Sequence, residues 1–159
     1  MVKTSYFEFM KHNNTTWLTK PLTDLTEQQW EQLCDRCGLC CIHKIENQKG
    51  EVFLTDVACK HLDIESVTCR CYHNRANNQT LCKALTPYNI EENLYWLPQT
   101  CAYRRRFENQ PLPNWHPLLS NDSDSLRKAG LDIRNKVISE NLFPVIDWEA
   151  RIVDKDYFF

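Results

Sequence analysis

The chain has 159 residues, 42% of them hydrophobic and 11% aromatic, with a formal net charge of −2. That suffices for one modest core and excludes the strongly basic balance of a general nucleic-acid binder. No stretch approaches the ~18 consecutive apolar residues of a membrane span. Residues 1–12 lack the apolar run and small-residue cleavage site of a secretory signal, so a cytoplasmic protein without membrane or nucleic-acid partners is expected.

Residues 1–16 read as a lead-in in which Asn13-Asn14-Thr15-Thr16 is a polar break, and Trp17-Leu18 as an apolar anchor. Thr26-Glu27-Gln28-Gln29, or Asp24-Leu25-Thr26-Glu27, fits a capping box. The helix it opens is expected to run to about Cys37, with Trp30, Leu33, Cys34 and Cys37 on one face, and to end at Gly38. Ile42 to Glu46 and Glu51 to Thr55 read as strands joined by the turn Asn47-Gln48-Lys49-Gly50. Asp56 to Leu62 is expected to form one or two helical turns capped by Asp56.

Cys69-Arg70-Cys71 lies in an irregular segment, where alternate residues of an extended chain turn both sulfurs the same way. Residues 74–80 form a polar loop. Thr86-Pro87 starts a helix toward Tyr95-Trp96-Leu97, with Thr86 as cap and Pro87 in the first turn. Another helix begins at Thr100-Cys101-Ala102. The stretch Pro111-Leu112-Pro113-Asn114-Trp115-His116-Pro117-Leu118-Leu119 reads as a stiff apolar strap packed over a core. A helix is expected within residues 126–138, weakened by Gly130. Residues 149–159 form a tail whose Tyr157-Phe158-Phe159 lies on the surface or on a partner. The fold class is therefore α+β: a small, helix-rich single domain over residues 17–148 with a short β-hairpin, built around cysteine-ligated metal.

The nine cysteines carry the chemistry. Cys34, Cys37, Cys40 and Cys41 fall within eight residues; Cys59, Cys69, Cys71, Cys82 and Cys101 follow, and neither tail contains one. In a reducing compartment disulfides do not persist, so clustered thiols point to metal or redox chemistry. An odd number also leaves a closed disulfide framework with one thiol over. A glycine after Cys34-x-x-Cys37 can take positive φ and turn the following amides toward the sulfurs, the shape of a metal knuckle. Zinc takes four thiolates in a tetrahedron, commonly as one Cys-x-x-Cys pair and a second pair from elsewhere. The first four cysteines could supply one end of two such sites and the later five the other, with Cys40 and Cys41, as neighbours, pointing apart. His43 or His73 could replace a thiol.

Iron is the alternative. Cys34-x-x-Cys37-x-x-Cys40 matches the first three ligands of a ferredoxin run, although no cysteine precedes a proline here. The cofactor expected is thus zinc or iron, the latter as ions or as an iron–sulfur cluster, and all nine cysteines are candidate ligands. Arg36, Lys44, Arg70, Arg75, Lys83 and Arg104-Arg105-Arg106 are expected to offset thiolate charge.

The octet Cys-x-x-Cys-x-x-Cys-Cys resembles the signature of the bacterial cysteine-cluster family of zinc- or iron-chelating proteins, and within it the YcgN-type branch. Val57-Ala58-Cys59, Cys69-Arg70-Cys71, Leu97-Pro98-Gln99-Thr100-Cys101-Ala102-Tyr103-Arg104, Leu112-Pro113-Asn114-Trp115-His116-Pro117-Leu118 and Val145-Ile146-Asp147-Trp148 stand in the family's order. The stretch before Trp17 and the aromatic end depart from it. The resemblance implies metal chelation and brings no established reaction; a related cysteine motif in a flagellin lysine methylase keeps an enzymatic role open by analogy.

Three functions compete: a scaffold stabilised by structural metal, an iron–sulfur redox protein or enzyme, and a metal carrier or sensor. No Walker-type loop, Gly-x-Ser-x-Gly elbow or His-Glu-x-x-His occurs. A cysteine nucleophile paired with His43, His61, His73 or His116 would need an accessible thiol of lowered pKa.

Overall fold

A computed structural model describes residues 15–74, 82–142 and 145–159 of the chain. The expectations placed on residues 1–14, on Arg75 and most of the polar loop before Cys82, and on Pro144 lie outside these residues. The described chain is mixed α/β, and the close approaches within it separate two compact units. No helix among the described residues is long and apolar enough to cross a membrane.

The first unit comprises Met1–Asp35, Leu85–Leu94 and Pro98–Ala129. Its helices are α1 (Glu27–Gln32), α2 (Ile90–Asn93), α3 (Ala102–Phe107), α4 (Pro117–Ser120) and α5 (Ser125–Lys128). The capping box at Thr26 forms: its hydroxyl accepts the Gln29 N–H at 3.2 Å, and Gln29 Oε1 accepts the Thr26 N–H at 3.0 Å. Trp17 and Leu18 are buried, as an anchor should be. Trp30 lies against the Tyr103 ring, centroids 4.3 Å apart, and its indole N–H donates to the Leu85 carbonyl at 3.0 Å.

The second unit comprises Arg36–Ala84, Tyr95–Leu97 and Gly130–Phe159. Strands β1 (Ile42–Glu46) and β2 (Val52–Ala58) form the expected antiparallel hairpin. Asn47 Oδ1 accepts the N–H groups of Lys49 and Glu51 to close its turn. The short pair β3 (Leu62–Asp63) and β4 (Thr68–Cys69) follows, and β5 (Ile138–Ser139) adds to β2 in parallel, giving the order β1-β2-β5. Leu39, Ile42, Ala58, Leu62, Val67, Ile133 and Phe158 make the core, with Cys37 and Cys41 packed against it.

Several expected elements differ. Helix α1 stops at Gln32 rather than near Cys37, and Arg36 takes a left-handed φ of 61° that no helix continues through. Gly38 therefore does not end that helix; it precedes a 3-10 turn at Leu39–Cys41. Asp56 to Ala58 is strand rather than helix. Val57 and Ala58 pair with Ile138 and Ser139, and the Asp56 carboxylate is held by Arg151 instead of capping.

Thr86 Oγ1 does accept the Tyr88 and Asn89 N–H groups, but the helix it announces is only the single turn of α2. The helix expected over residues 126–138 is cut to α5, because Gly130 and Asn135 both take positive φ. The aromatic end is not simply a surface feature. Phe158 is 0% exposed in the core, while Tyr157 and Phe159 remain half exposed.

Candidate metal centre

All nine cysteines are free thiols. Cys34 and Cys101 belong to the first unit, and Cys101 is the residue before α3. Cys37, Cys40, Cys41, Cys59, Cys69, Cys71 and Cys82 belong to the second. Among these Cys40 is exposed and the rest are half-buried.

The octet is shaped by Gly38. Its φ of 83° is left-handed, and a Cβ there would lie 2.7 Å from the Ile133 side chain and 2.8 Å from Val67. Glycine is thus required by conformation and by packing together. The chain then tightens: the Cys41 N–H donates to the Gly38 carbonyl at 2.9 Å. Within this turn Cys40 and Cys41 do not point apart; their sulfurs stand 4.0 Å from each other. A 3-10 turn, unlike a strand, does not send neighbouring side chains to opposite faces.

Cys59 immediately follows β2. The Cys59 N–H donates to the Cys41 carbonyl at 2.9 Å, and the Cys59 sulfur accepts the His61 N–H at 3.5 Å. The amide-to-sulfur bond expected after Gly38 thus occurs at the Cys59 loop. Cys69 and Cys71, either side of Arg70, bring their sulfurs to 3.7 Å, although β4 ends at Cys69 and the chain turns at Arg70 and Cys71 instead of staying extended.

Tetrahedral zinc with Zn–S near 2.3 Å puts neighbouring sulfurs about 3.8 Å apart, whereas a disulfide needs about 2.05 Å. Both close pairs match ligand spacing. Among the described residues, no three Cys, His, Asp or Glu side chains yet surround one point in ligand geometry.

Electrostatics ties the pairs together. The Cys41 thiol is pushed far above its ordinary range by its bond with Cys40, by burial, and by the charges of Cys40, Cys69 and Cys59. Cys59 is raised chiefly by burial, with Glu140 and Cys69 adding to it. Cys71 is raised by withdrawal from water, then by Cys69, Cys59 and Cys82. Crowded thiols resist ionising together because each thiolate repels the next. Such shifts oppose a nucleophile, which needs its pKa lowered, and a bound cation would remove the repulsion.

Lys44 brings positive charge to this group. Its Nζ donates to the carbonyls of Leu39 (2.8 Å) and Ile42 (2.9 Å) and lies 5.1 Å from the Trp96 ring centroid. The residue is partly exposed, yet its ammonium end is turned inward. Burial lowers its pKa, and Cys40, Cys41 and Cys37 pull it back up. No carboxylate among the described residues pairs with it.

The other expected counter-charges have different tasks. Arg104 pairs with Glu108 and donates to the Leu94 carbonyl, Arg105 donates to Pro111 and Arg106 to Lys20, all within the first unit. Arg70 pairs with Asp63, and Lys83 lies over the Tyr95 ring.

The histidines divide as well. His116 is fully buried: its Nδ1 accepts the Leu118 N–H at 3.1 Å, so Nε2 carries the proton donated to the Leu33 carbonyl at 2.9 Å. It is a structural bolt, as the strap reading implies. His73 packs edge-on against Tyr72. His43 stacks on Trp148, ring centroids 3.9 Å apart, and its Nε2 lies 3.0 Å from Glu140 Oε2, off the line of a ring hydrogen bond. Sequence reading passed over Glu140 altogether, and Lys44 was one cation among many. The one available signal was that Lys44 lies two residues beyond Ile42 on a strand, which places it on the core-facing side.

What the described residues define is a mixed α/β protein with a thiol-rich second unit. No family model matches the chain, and no solved structure matches it. Curated relatives do. A UPF0260 protein of Vibrio vulnificus is 46% identical over 143 residues, covering 89% of this chain and 97% of the relative. UPF0260 proteins of Marinobacter nauticus (42% over 138 residues, 86% and 93% covered) and Rhodobacter capsulatus (44% over 137 residues, 86% and 92% covered) are similar. The chain belongs to the UPF0260 family.

Proposed function

We propose that this protein is a cytoplasmic metal-binding protein whose second unit is held together by zinc or iron on cysteine thiolates, the metal being structural. The observation that carries the reading is the close approach of thiol pairs in one unit, Cys40 to Cys41 at 4.0 Å and Cys69 to Cys71 at 3.7 Å, with Cys59 and Cys69 both acting electrostatically on Cys41. Thiols from three separate stretches of the second unit, drawn onto one centre, would repel one another as thiolates, and a divalent cation would offset that repulsion. The resemblance to the cysteine-cluster family and its YcgN-type branch supports the same reading.

Cys41, Cys59, Cys69 and Cys71 are the first choice of ligands. Cys37, Cys40 and Cys82 flank them, and Cys34 and Cys101 are assigned to the first unit. When bound, the metal supplies cross-linking of these stretches. Cys59 contributes a sulfur already bonded to the His61 amide, and Lys44 contributes positive charge beside Cys37, Cys40 and Cys41. An iron–sulfur cluster, for which the Cys-x-x-Cys-x-x-Cys spacing of the octet speaks, is the alternative.

The test is elemental analysis and absorption of protein prepared anaerobically without a histidine tag. Stoichiometric zinc with no visible band supports the structural zinc site. A brown chromophore that bleaches in air moves the assignment to iron–sulfur. Protein that folds and stays folded with less than a tenth of an equivalent of either metal overturns the proposal.

A further inference from the structure

Among the described residues, the Glu140 carboxylate lies against both the Cys59 loop and β1, the strand that follows Cys41. Strand pairing puts it there. Val57 pairs with Ile138 and Ala58 with Ser139 in parallel register, so the residues that follow the two strands, Cys59 and Glu140, leave the sheet side by side. From that position Oε1 accepts the Lys60 N–H at 2.7 Å. Oε2 lies 3.0 Å from Nε2 of His43, which follows Cys41 by two residues on β1. His43 cannot swing away, because its ring is stacked on Trp148.

We infer that Glu140 is a positioning residue for the metal centre: one oxygen accepts the Lys60 amide while the other lies against the stacked His43 ring, and together they fix the Cys59 sulfur relative to Cys41. This rests on the proposed metal-thiolate reading. With the Lys60 amide taken by a carboxylate oxygen, the Cys59 loop keeps the bend in which the next amide, His61 N–H, reaches the Cys59 sulfur. On its other side the loop is held by the Cys59 N–H bond to the Cys41 carbonyl. Two anchors on opposite sides of one ligand define its place, and groups of this kind cost ~10–100-fold in metal affinity when removed. The role is geometric. A neutral isostere that keeps the Lys60 bond and the contact with His43 should therefore serve as well.

The experiment compares zinc release from the full-length wild type, Glu140→Ala and Glu140→Gln to a chromophoric chelator. Cobalt-to-thiolate absorption of the same proteins and thermal melting of their metal-free forms accompany it. Glu140→Ala is expected to lose zinc affinity by ~10–100-fold with an altered cobalt–thiolate spectrum, while Glu140→Gln stays within about threefold of wild type. The inference is overturned if Glu140→Ala binds as tightly as wild type, or if Glu140→Gln is as weak as Glu140→Ala. Should Glu140→Ala not fold, Glu140→Asp takes its place, one methylene too short for both contacts; if that also fails to fold without metal, Glu140 is a folding residue and the inference falls. A wild type that takes up neither zinc nor cobalt overturns the underlying reading and this one with it.

Discussion

The two units close their interiors by different means. In the first, buried and half-buried polar side chains end on backbone carbonyls: Trp30 on Leu85, His116 on Leu33, Arg104 on Leu94, Arg105 on Pro111, Arg106 on Lys20. The Trp30 and His116 bonds satisfy donors that would otherwise cost about 1–3 kcal/mol each to bury. The second unit instead crowds thiols with raised pKa beside an inward-turned ammonium. Its apolar core is real but small, and its charge balance is left for something else to complete. The contrast teaches that a metal on the proposed ligands would matter unequally, because those thiols all belong to the second unit.

Metal removal should therefore have the largest effect and a local one. Structural zinc contributes roughly 10–16 kcal/mol in small domains near neutral pH, more than most domains have as net stability. After chelation, amides of β1, β2 and the Cys59 loop are expected to lose protection in hydrogen exchange. Those of α1 and α3 are expected to keep theirs. Uniform loss along the chain, or none, would break the contrast.

Phe158→Ala comes next. The ring fills the second unit's core from the C-terminal end, and the Phe158 carbonyl accepts from Lys136 Nζ at 3.0 Å. Emptying such a site costs ~3–5 kcal/mol. Denaturant unfolding should show it, with Tyr157→Ala, half exposed beside it, costing under ~1 kcal/mol. Equal effects from the two would mean that the aromatic end is not a plug.

Gly38→Ala is expected to cost ~2–4 kcal/mol, combining a left-handed φ with a side chain driven into Ile133 and Val67. Its effect should persist in metal-free protein, which separates a packing role from a ligand-turning one.

These residues also show what the sequence could disclose. The hairpin was legible because Asn47 and Gly50 are turn residues between two alternating runs, and the capping box because Thr26 and Gln29 hold the required spacing. The Cys69/Cys71 pairing was legible from the one-residue spacing, although a turn after Cys69, not a continuing strand, makes it. Helix lengths were not legible: Arg36 and Asn135 take positive φ, which their residue types do not require. Phe158 looked like a loose end because burial of a tail is decided by a cavity made elsewhere, by Leu39, Val67 and Ile133. Glu140 was invisible because its relation to Cys59 depends on the register of a two-residue strand that pairs across some 80 residues of chain.

Lys44→Met sharpens the comparison from inside the second unit. Methionine keeps the length of the side chain and removes its charge, so a thiolate centre loses its nearby cation. Zinc affinity is expected to fall about tenfold. The metal-free protein should be as stable as wild type or more so, since an inward ammonium without a carboxylate is costly to bury. Opposite signs in the two measurements are the signature; a parallel loss in both would make Lys44 an ordinary structural residue.

The smallest expected effect lies in the first unit, at His116. Burial lowers its pKa below the ordinary 6.5, while the bond to the Leu33 carbonyl and the charge of Asp35 act the other way. The folded state therefore binds the proton less readily than the unfolded chain does. The stability this group contributes is full above about pH 6.5 and is lost as pH falls below that value toward the folded pKa. His116→Asn keeps an oxygen in place of Nδ1 to accept the Leu118 N–H but cannot titrate. The protection of first-unit amides in wild type should thus fall toward that of His116→Asn between about pH 7 and pH 5, closing a gap that is open at neutral pH. Reading only first-unit amides keeps out His43, which burial also shifts downward. Zinc affinity of His116→Asn should remain within about twofold of wild type, and a larger change would join two units whose interiors are otherwise built on separate principles.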